Sequence, residues 1–449
     1  MGRIRQHTLS IIIPCAFLCA CICACSSDDC GDGVDAFKAG FAVVDITPGV
    51  DVRLAGYGSA FISDSFCRWS TGVHDPLYAH AVAFDDRLDG KALILIVLDN
   101  VGTITNEVKE IQAGVAGALG LAEESIVVSA THTHHGPDTI GLWGVIIPPI
   151  TGRQEDVIDM MVAGAIEAGI DAWNARVPAR LEYAVGEEPR FHFNKITGDP
   201  DATIDSTMTV LAAYDRGGRL IGSLMNWAAH PTLLADSNTL ISADYPGAYY
   251  KHMGEALDGI HMFVNGAIGA SIQVLAVENG WWKWLFSSAG WEDWDDFGIA
   301  LTEDVTALMA NAVPIDEPSI GLLESREVQA KVENLMFWLA ATIGLIPREV
   351  PPVGEYGTTF MTTFAIGPVT FGTVPGEYVP DYSFNLREVM GGQAQFVIGL
   401  GMDWIGYAIT PDQYQKPQYL YERFLCPSSM AGEELLDVYR EIWDPAHEE

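Results

Sequence analysis

One apolar run constrains the fold of this chain more than any other feature. The segment ALILIVLDN at 92–100 has no polar side chain before Asp99. A strand of this kind must be covered on both faces, as in layered α/β proteins. The run SIVVSA at 125–130 follows a stretch of helical periodicity between Thr105, the predicted capping residue, and Gly120. This part of the chain is therefore predicted to form a β-α-β unit.

Other segments continue the alternation of strands and helices. Strands are expected at 41–49, after a loop within 72–86, at 181–186, as a pair across 207–230, as a hairpin across 358–377 and at 395–401. Helices are expected from Glu155 to about Asn174 and near 382–390. The pattern predicts an α/β fold with mixed β-sheets flanked by helices, in a single large catalytic domain over 39–449.

Three histidines within four residues follow the second apolar run, in the segment VSATHTHHGPD at 128–138. On a strand end, His132 and His134 are two residues apart and should point to the same side, whereas His135 should point elsewhere. Imidazole nitrogen is a preferred zinc ligand. The pattern favours a metal site whose other ligands come from elsewhere in the chain. The alternative is a surface strand end with solvated histidines.

The charge balance excludes one class of partner. The chain has 60 acidic and 24 basic residues, a formal net charge of −36. An anionic protein of this kind is repelled by phosphate backbones, so we expect no nucleic-acid partner. The imbalance is typical of a highly soluble surface.

The N-terminus resembles an export signal. Arg3 and Arg5 precede the apolar stretch LSIIIPCAFLCACICAC, which is too short and wrongly flanked for a membrane span. We predict a lipoprotein-type signal peptide at 1–24, lipidation of Cys25 or alternatively Cys21, and a polar tether at 25–38. The mature protein would be exported and anchored by lipid to the cell envelope, in the periplasm or on the outer surface. Plain secretion is the alternative.

Two cysteines lie in the body of the chain, Cys67 and Cys426. In an exported protein they can form a disulfide, but two buried thiols fit the sequence equally well because geometry decides the bond.

A tryptophan-rich segment, WWKWLFSSAGWEDWDDFG at 281–298, contains five of the twelve tryptophans. It predicts either an apolar rim over a lipid-binding cleft or a helical excursion with its aromatic face buried.

Polar residues recur where apolar strands end. NWAAHPT provides His230, TVPGEY provides Glu377, and GLGMDWIGYAIT provides Asp403 and Tyr407. Nitrogen and oxygen donors gathered from separate strand ends are what a zinc site requires. Each motif alone is weak, but together they support the metal hypothesis.

The ordered motifs HDPLYA, SATHTHHGPD, NWAAHPT, ISADYPG, FVNGAIG, VPGE and GLGMDWIGY resemble the neutral/alkaline non-lysosomal ceramidase family, from about 41 to 421. The resemblance implies one zinc ion per chain and four ligands. Those positions here are His132, His230, Glu377 and Tyr407. It also places His134 beside the substrate as a proton carrier or transition-state donor, and Asn194 and Lys195 at the family's substrate-side Asn-Arg pair.

The implied reaction is hydrolysis of an N-acyl amide such as ceramide. Zinc lowers the pKa of its bound water and polarises a carbonyl. Tyr407 could move from the metal towards the oxyanion. Asp403 is expected to support the ligands from behind. Asp244 could orient a ligand histidine, although a structural turn aspartate fits equally well.

Two departures from the family pattern affect this expectation. The family's GDVS-type motif is GASI here, so Ile272 occupies the serine position and Ser271, one residue away, would point to the opposite face of an extended backbone. A zinc mechanism survives that change, whereas a serine-nucleophile mechanism does not.

The second departure is length: only about 28 residues follow Tyr421, so we expect no C-terminal immunoglobulin-like domain. Lys195 keeps a positive charge but lacks the bidentate fork of arginine, so recognition of the head group is expected to differ. Two alternatives stay open: a zinc hydrolase of non-lipid amides or esters, and a catalytically inactive surface binding protein.

Overall fold

A computed structural model describes residues 37–58, 63–87, 89–196, 202–269 and 290–444, and the backbone of 272–274. Residues 35–449 belong to one compact unit. The predicted signal peptide, most of the tether and the first part of the tryptophan-rich segment lie outside the described residues. Within the described ranges, no helix combines the length and the apolar character needed to cross a membrane.

Nineteen strands are described. They are β1 Lys38–Asp45, β2 Gly72–Val73, β3 Tyr78–Asp86, β4 Lys91–Leu98, β5 Ile126–Ala130, β6 Val177–Glu187, β7 His192–Asn194, β8 Thr207–Asp215, β9 Leu220–Trp227, β10 Leu240–Ile241, β11 Ile260–Asn265, β12 Ile272–Val274, β13 Val313–Pro314, β14 Ile320–Lys331, β15 Tyr356–Ile366, β16 Val369–Thr373, β17 Glu377–Tyr378, β18 Ala394–Ile398 and β19 Tyr407–Ala408.

The α-helices of the described residues are α1 Thr105–Leu119, α2 Glu155–Asn174, α3 Tyr245–Ala256, α4 Trp291–Met309, α5 Leu335–Thr342, α6 Pro380–Met390, α7 Pro411–Gln415, α8 Leu420–Phe424 and α9 Ala431–Trp443. Together with the sheets they confirm the predicted mixed α/β class.

The large sheet has the strand order β11-β9-β8-β6-β1-β3-β4-β5, with β13 added beside β6. The strands β4 and β5 are parallel and α1 connects them, which confirms the predicted β-α-β unit. Both strands are almost wholly buried, as their continuous apolar sequence requires. Helix α2 packs against β1, β3 and β4 and also against α1.

The large sheet curls until its two ends meet. The terminal strand β11 contacts β4 and β5, although the strand order places it at the opposite end. The buried Asn265 joins these ends: its Nδ2 donates to the carbonyls of Thr131, at 2.7 Å, and Ala229, at 3.1 Å. Its Oδ1 accepts the amides of Ala229 and Gly266. The Asn265 side chain therefore connects the C-terminal ends of strands β5, β9 and β11.

A second sheet, in the order β14-β15-β16-β18, packs against the large sheet through β18. Asn226 of β9 exchanges hydrogen bonds with the backbone of Val397 in β18, and Ser129 of β5 donates to the carbonyl of Gly399. At Gly399 a Cβ atom would lie 1.9 Å from the carbonyl oxygen of Gly266, so only glycine permits this approach. The two sheets thus hold the segments that carry the candidate site.

One local expectation was wrong. Helix α1 begins at Thr105 and its N-cap is Ile104; the distant carboxylate of Asp403 accepts the Thr105 amide at 3.0 Å, so tertiary contact replaces a local cap. Of the two alternatives for Cys67 and Cys426, the structure has two buried thiols. Of the tryptophan-rich segment, Trp294 is described as buried in α4, with its Nε1 donating to the carbonyl of Asp244.

Replacing Asn265 by alanine tests the role of this side chain. We expect the free energy of unfolding to fall by about 3 kcal/mol, because the Thr131 carbonyl and the Ala229 amide each lose a buried partner worth roughly 1–3 kcal/mol. Urea denaturation gives the value. The control is Asn311→Ala, which removes one exposed hydrogen bond to Ala307 and should change stability by less than about 0.5 kcal/mol. Equal effects of the two substitutions would contradict the assignment.

Candidate metal centre

His132 occupies a constrained position just beyond β5. The strand ends at Ala130, and His132 has φ 71°, in the left-handed region that non-glycine residues rarely adopt. The prediction that His132 and His134 lie on one face of a strand is therefore wrong, because both residues follow the strand. Their side chains nevertheless meet. The His132 amide donates to Asn100, and its Nδ1 donates to the Val101 carbonyl at 2.5 Å. A protonated Nδ1 leaves Nε2 with a lone pair directed into the site.

His134 reaches the same point from the turn after the strand. Its Nε2 lies 3.2 Å from Nε2 of His132, and its Nδ1 is buried and has no hydrogen-bond partner among the residues that the structure describes. Gly56, with φ +94°, packs against the ring, where a Cβ atom would lie 2.2 Å from Cγ of His134. The ring of Tyr57 meets it edge-on at 5.1 Å. Burial, reinforced by the charges of His132 and His230, holds the pKa of His134 well below its usual value.

His230 and Glu377 complete the cluster from two other chain segments. His230 follows β9, and its Nε2 lies 3.2 Å from Oε2 of Glu377, the first residue of β17. The same oxygen lies 3.6 Å from Nε2 of His132. Burial alone would raise the pKa of Glu377, but interactions with His132 and His230 lower it well below its usual range. The carboxylate is therefore ionised.

Tyr407 lies directly beside Glu377 because β19 pairs with β17 at this position. Burial, followed by the charge of Glu377, raises the pKa of Tyr407 well above its usual value, so the phenol is protonated.

The second oxygen of Glu377 is held from a different direction. Its Oε1 accepts Nε1 of Trp404 at 3.3 Å. The neighbouring Asp403 accepts the Trp404 amide and forms a two-point ion pair with Arg348, with both contacts at 3.1 Å. Asp403 thus supports the cluster through Trp404. Sequence reasoning missed Trp404, although it lies inside the GLGMDWIGY motif, and Arg348, which no local pattern marks.

His135 turns away from the cluster, as the sequence suggested. Its Nε2 lies 3.3 Å from Oδ2 of Asp244. Asp244 also accepts the amides of Leu233, Leu234 and Tyr245, and has φ 62°. The hypothesis that Asp244 orients a ligand histidine is wrong, because its imidazole partner is His135. Asp244 is instead a structural turn aspartate, which was the alternative prediction.

His132, His230 and Glu377 can hold a zinc ion, with His134 beside them. The ligand nitrogens of His132, His134 and His230 all lie within 4.8 Å of one another. Two ligands of a tetrahedral zinc, each ~2.0–2.1 Å from the metal, are about 3.3 Å apart. The distances from Glu377 to His230 and His132, 3.2 and 3.6 Å, match that spacing. Nitrogen and carboxylate donors are the set that zinc prefers.

The substrate-side candidates differ in their placement. The amide group of Asn194 is engaged in a turn, donating to Thr203 and accepting from Ile196. Lys195 is exposed and interacts electrostatically with Glu422 of α8. Ser271 lies outside the described residues. The strand β12 that follows it pairs with β7, where Ile272 is opposite Asn194.

An apolar cavity of about 330 Å³ is lined in part by two residues that contact the cluster. Gly56, which packs on His134, and Trp404, which binds Glu377, are part of its wall. The remaining wall is almost wholly apolar; it is lined by residues that include Leu142, Trp143, Phe337, Leu345 and Ile346. A metal-binding cluster next to the wall of an apolar cavity suits a substrate with a hydrolysable polar bond and a hydrocarbon chain.

The sequence and the fold are similar to those of known proteins. The sequence profile for the family "Neutral/alkaline non-lysosomal ceramidase, N-terminal" matches residues 37–268. The chain is 28% identical to the neutral ceramidase of Pseudomonas aeruginosa over 233 residues, 48% of this chain and 33% of that protein. It is 29% identical to the neutral ceramidase of Mycobacterium tuberculosis over 239 residues, 49% of this chain and 36% of that protein. The matched region spans about a third of the length of these relatives.

The fold is also that of a solved structure. The crystal structure of neutral ceramidase from Pseudomonas aeruginosa superposes with a TM-score of 0.73 at 18% sequence identity, covering 92% of this chain and 75% of that chain. The similarity therefore extends beyond the segment that sequence comparison matches.

Zinc content distinguishes the roles of the two neighbouring histidines. We expect His132→Ala to reduce zinc from about one ion per chain to nearly none, because it removes an oriented ligand. We expect His134→Ala to retain about one ion per chain, because His132, His230 and Glu377 remain. Mass spectrometry of the metal after gel filtration measures both, with His252→Ala as a control. Loss of zinc from the His134 variant would make His134 a ligand instead.

The indole of Trp404 should tune the metal affinity through Glu377. Trp404→Phe removes the donor to Oε1 and is expected to weaken zinc binding about tenfold, as for other groups that orient a ligand. Competition with a chromophoric chelator gives the affinity. Trp443→Phe is the matched control, since it removes an indole hydrogen bond to Thr363 in another part of the fold. An unchanged affinity in the Trp404 variant would show that this contact does not act on the metal.

Proposed function

The chain belongs to the neutral/alkaline non-lysosomal ceramidase family, and we propose that it is a zinc-dependent hydrolase of the N-acyl amide bond in ceramide or a related N-acyl lipid. The observation that carries this proposal is that Gly56 and Trp404, which contact His134 and Glu377 of the cluster, are part of the wall of the apolar cavity. The cavity volume of about 330 Å³ is enough for part of an acyl chain next to the scissile bond.

His132, His230 and Glu377 would hold the zinc, and Tyr407 stands beside them as a further ligand or as a donor. When bound, zinc supplies a Lewis acid for the amide carbonyl and a water molecule of lowered pKa. The Nδ1–H bond to Val101 and the Trp404 contact keep His132 and Glu377 in one orientation, so little reorganisation is needed during the reaction.

His134 is proposed to carry the proton. Cleavage of the C–N bond requires the nitrogen to gain a proton before it leaves as an amine. The neutral imidazole can take a proton from the attacking water and return it to that nitrogen. The protonated Tyr407 can donate to the oxygen that becomes negative in the tetrahedral intermediate. Neither step uses a serine nucleophile, so the GASI sequence at 269–272 does not prevent the reaction.

Export remains part of the proposal. The signal at 1–24 and lipidation of Cys25 or Cys21 would place the enzyme on the cell envelope, close to membrane lipids.

A substrate comparison with zinc-loaded protein tests the function. We expect fatty acid release from long-chain N-acyl sphingoid lipids with a kcat/KM at least about 100-fold above that for short polar acyl amides, because only the former fill the apolar cavity. Mass spectrometry of released acid measures the rate, and His134→Ala is expected to lower it by about 100-fold or more.

Preferential hydrolysis of short polar amides or esters would favour the non-lipid alternative. Ligand binding with no hydrolysis of any N-acyl lipid, at full zinc occupancy, would make the protein a binding protein and overturn the proposal.

A further inference from the structure

We propose that the protein has a docking face for an electrically neutral lipid surface around the mouth of its apolar cavity. This inference rests on the proposed function, because the docking face would supply the substrate. The experiment that tests the docking face does not depend on enzymatic activity. The docking face consists of exposed apolar side chains from three segments. The first segment is the loop with Ile146 and Ile147, the second is α5 with its C-terminal turn, and the third is α8. The residues of α5 and its turn are Leu335, Met336, Leu339 and Ile343, and those of α8 are Leu420, Tyr421 and Phe424.

The exposed residues are continuous with the cavity. Six members of the docking face also line its wall, namely Ile146, Met336, Leu339, Ile343, Tyr421 and Phe424. Leu335 and Leu420 have exposed fractions of 59% and 62%. Isolated exposed apolar side chains are common on soluble proteins, but a contiguous group from three segments around one opening is typical of an interaction surface.

Helix α5 has the composition of an interfacial helix. Its sequence LMFWLAAT contains no charged residue, and Phe337 on its inner side is buried while Leu335, Met336 and Leu339 face solvent. Transfer of the solvent-facing side of such an uncharged helix from water to an apolar phase is favourable.

The docking face is held rigid without a partner. Asn334 caps α5 by accepting the amides of Met336 and Phe337. Its Nδ2 donates to the carbonyls of Phe424, at 2.6 Å, and Cys426, at 2.9 Å. One asparagine therefore fixes α5 to the end of α8, so that docking requires little ordering of the backbone.

Charge selects the occupant. The chain carries a formal charge of −36, so an anionic bilayer and a second copy of the chain would both be repelled. The exposed side chains of the docking face are uncharged, which matches a surface of zwitterionic lipid. A second copy would also close the cavity opening, whereas a bilayer would supply an acyl substrate directly to it.

Hydrogen–deuterium exchange of the full chain tests the docking face without requiring activity. Phosphatidylcholine vesicles are expected to slow amide exchange in 335–343 and 420–424 by at least about threefold, because lipid contact suppresses local opening. The variant Leu335→Glu with Leu420→Glu, neither of which lines the cavity, should abolish this protection. Val313→Glu with Phe384→Glu, two exposed sites on other elements, is the matched control and should retain it. Circular dichroism checks that both variants are folded.

The outcomes are decisive in each direction. Absence of vesicle-dependent protection in the unsubstituted chain would overturn the docking face, and so would protection that depends on protein concentration alone, which indicates a second copy. Stronger protection by phosphatidylglycerol vesicles than by phosphatidylcholine vesicles would overturn the charge argument. Protection without hydrolysis of any N-acyl lipid would leave the docking face standing and reject the proposed function.

Discussion

The meeting of the two ends of the large sheet is the constraint on which the site depends. His132 and His134 follow β5, and His230 follows β9 near the opposite end of the strand order. An open, flat sheet would keep these residues far apart. The Asn265 side chain, with its bonds to Thr131 and Ala229, joins the two ends directly behind the histidines.

The second constraint is the fixed orientation of each cluster member. Glu377 lies between histidines on one oxygen and the Trp404 indole on the other, and Tyr407 is its partner on the neighbouring strand. His132 is fixed by a backbone carbonyl and by its left-handed backbone conformation. An unpaired ionised carboxylate at this depth would be costly, so the cationic or metal-binding character of its neighbours is also a condition of stability. Positioning and folding are therefore carried by the same contacts.

Sequence reasoning reached the fold class because apolar runs and helical periodicity are local signals, as in β4, β5 and α2. It also selected residues that the structure brings together, because polar side chains that follow apolar strands can be recognised in the sequence and the family resemblance indicated their roles. These residues are His132, His134, His230, Glu377 and Tyr407. It gave the wrong reason for the alignment of His132 with His134, because a left-handed residue just after a strand leaves no trace in the composition.

The supporting groups could not be predicted in the same way. Asn265, Arg348 and Asp244 act through contacts that are distant in sequence, and an asparagine or aspartate in a loop usually indicates only a turn. The apolar cavity likewise arises from segments around 143, 337 and 424, whose proximity exists only after folding.

The site combines a polar end that suits a metal with an apolar wall that suits a hydrocarbon chain, and the first of these is the central claim. Anomalous diffraction measured on both sides of the zinc absorption edge, from crystals of the zinc-loaded chain, tests it most directly. The account predicts one peak of about full occupancy, bonded to Nε2 of His132, Nε2 of His230 and the carboxylate of Glu377. A peak at any other location, or none between these three side chains, would contradict it.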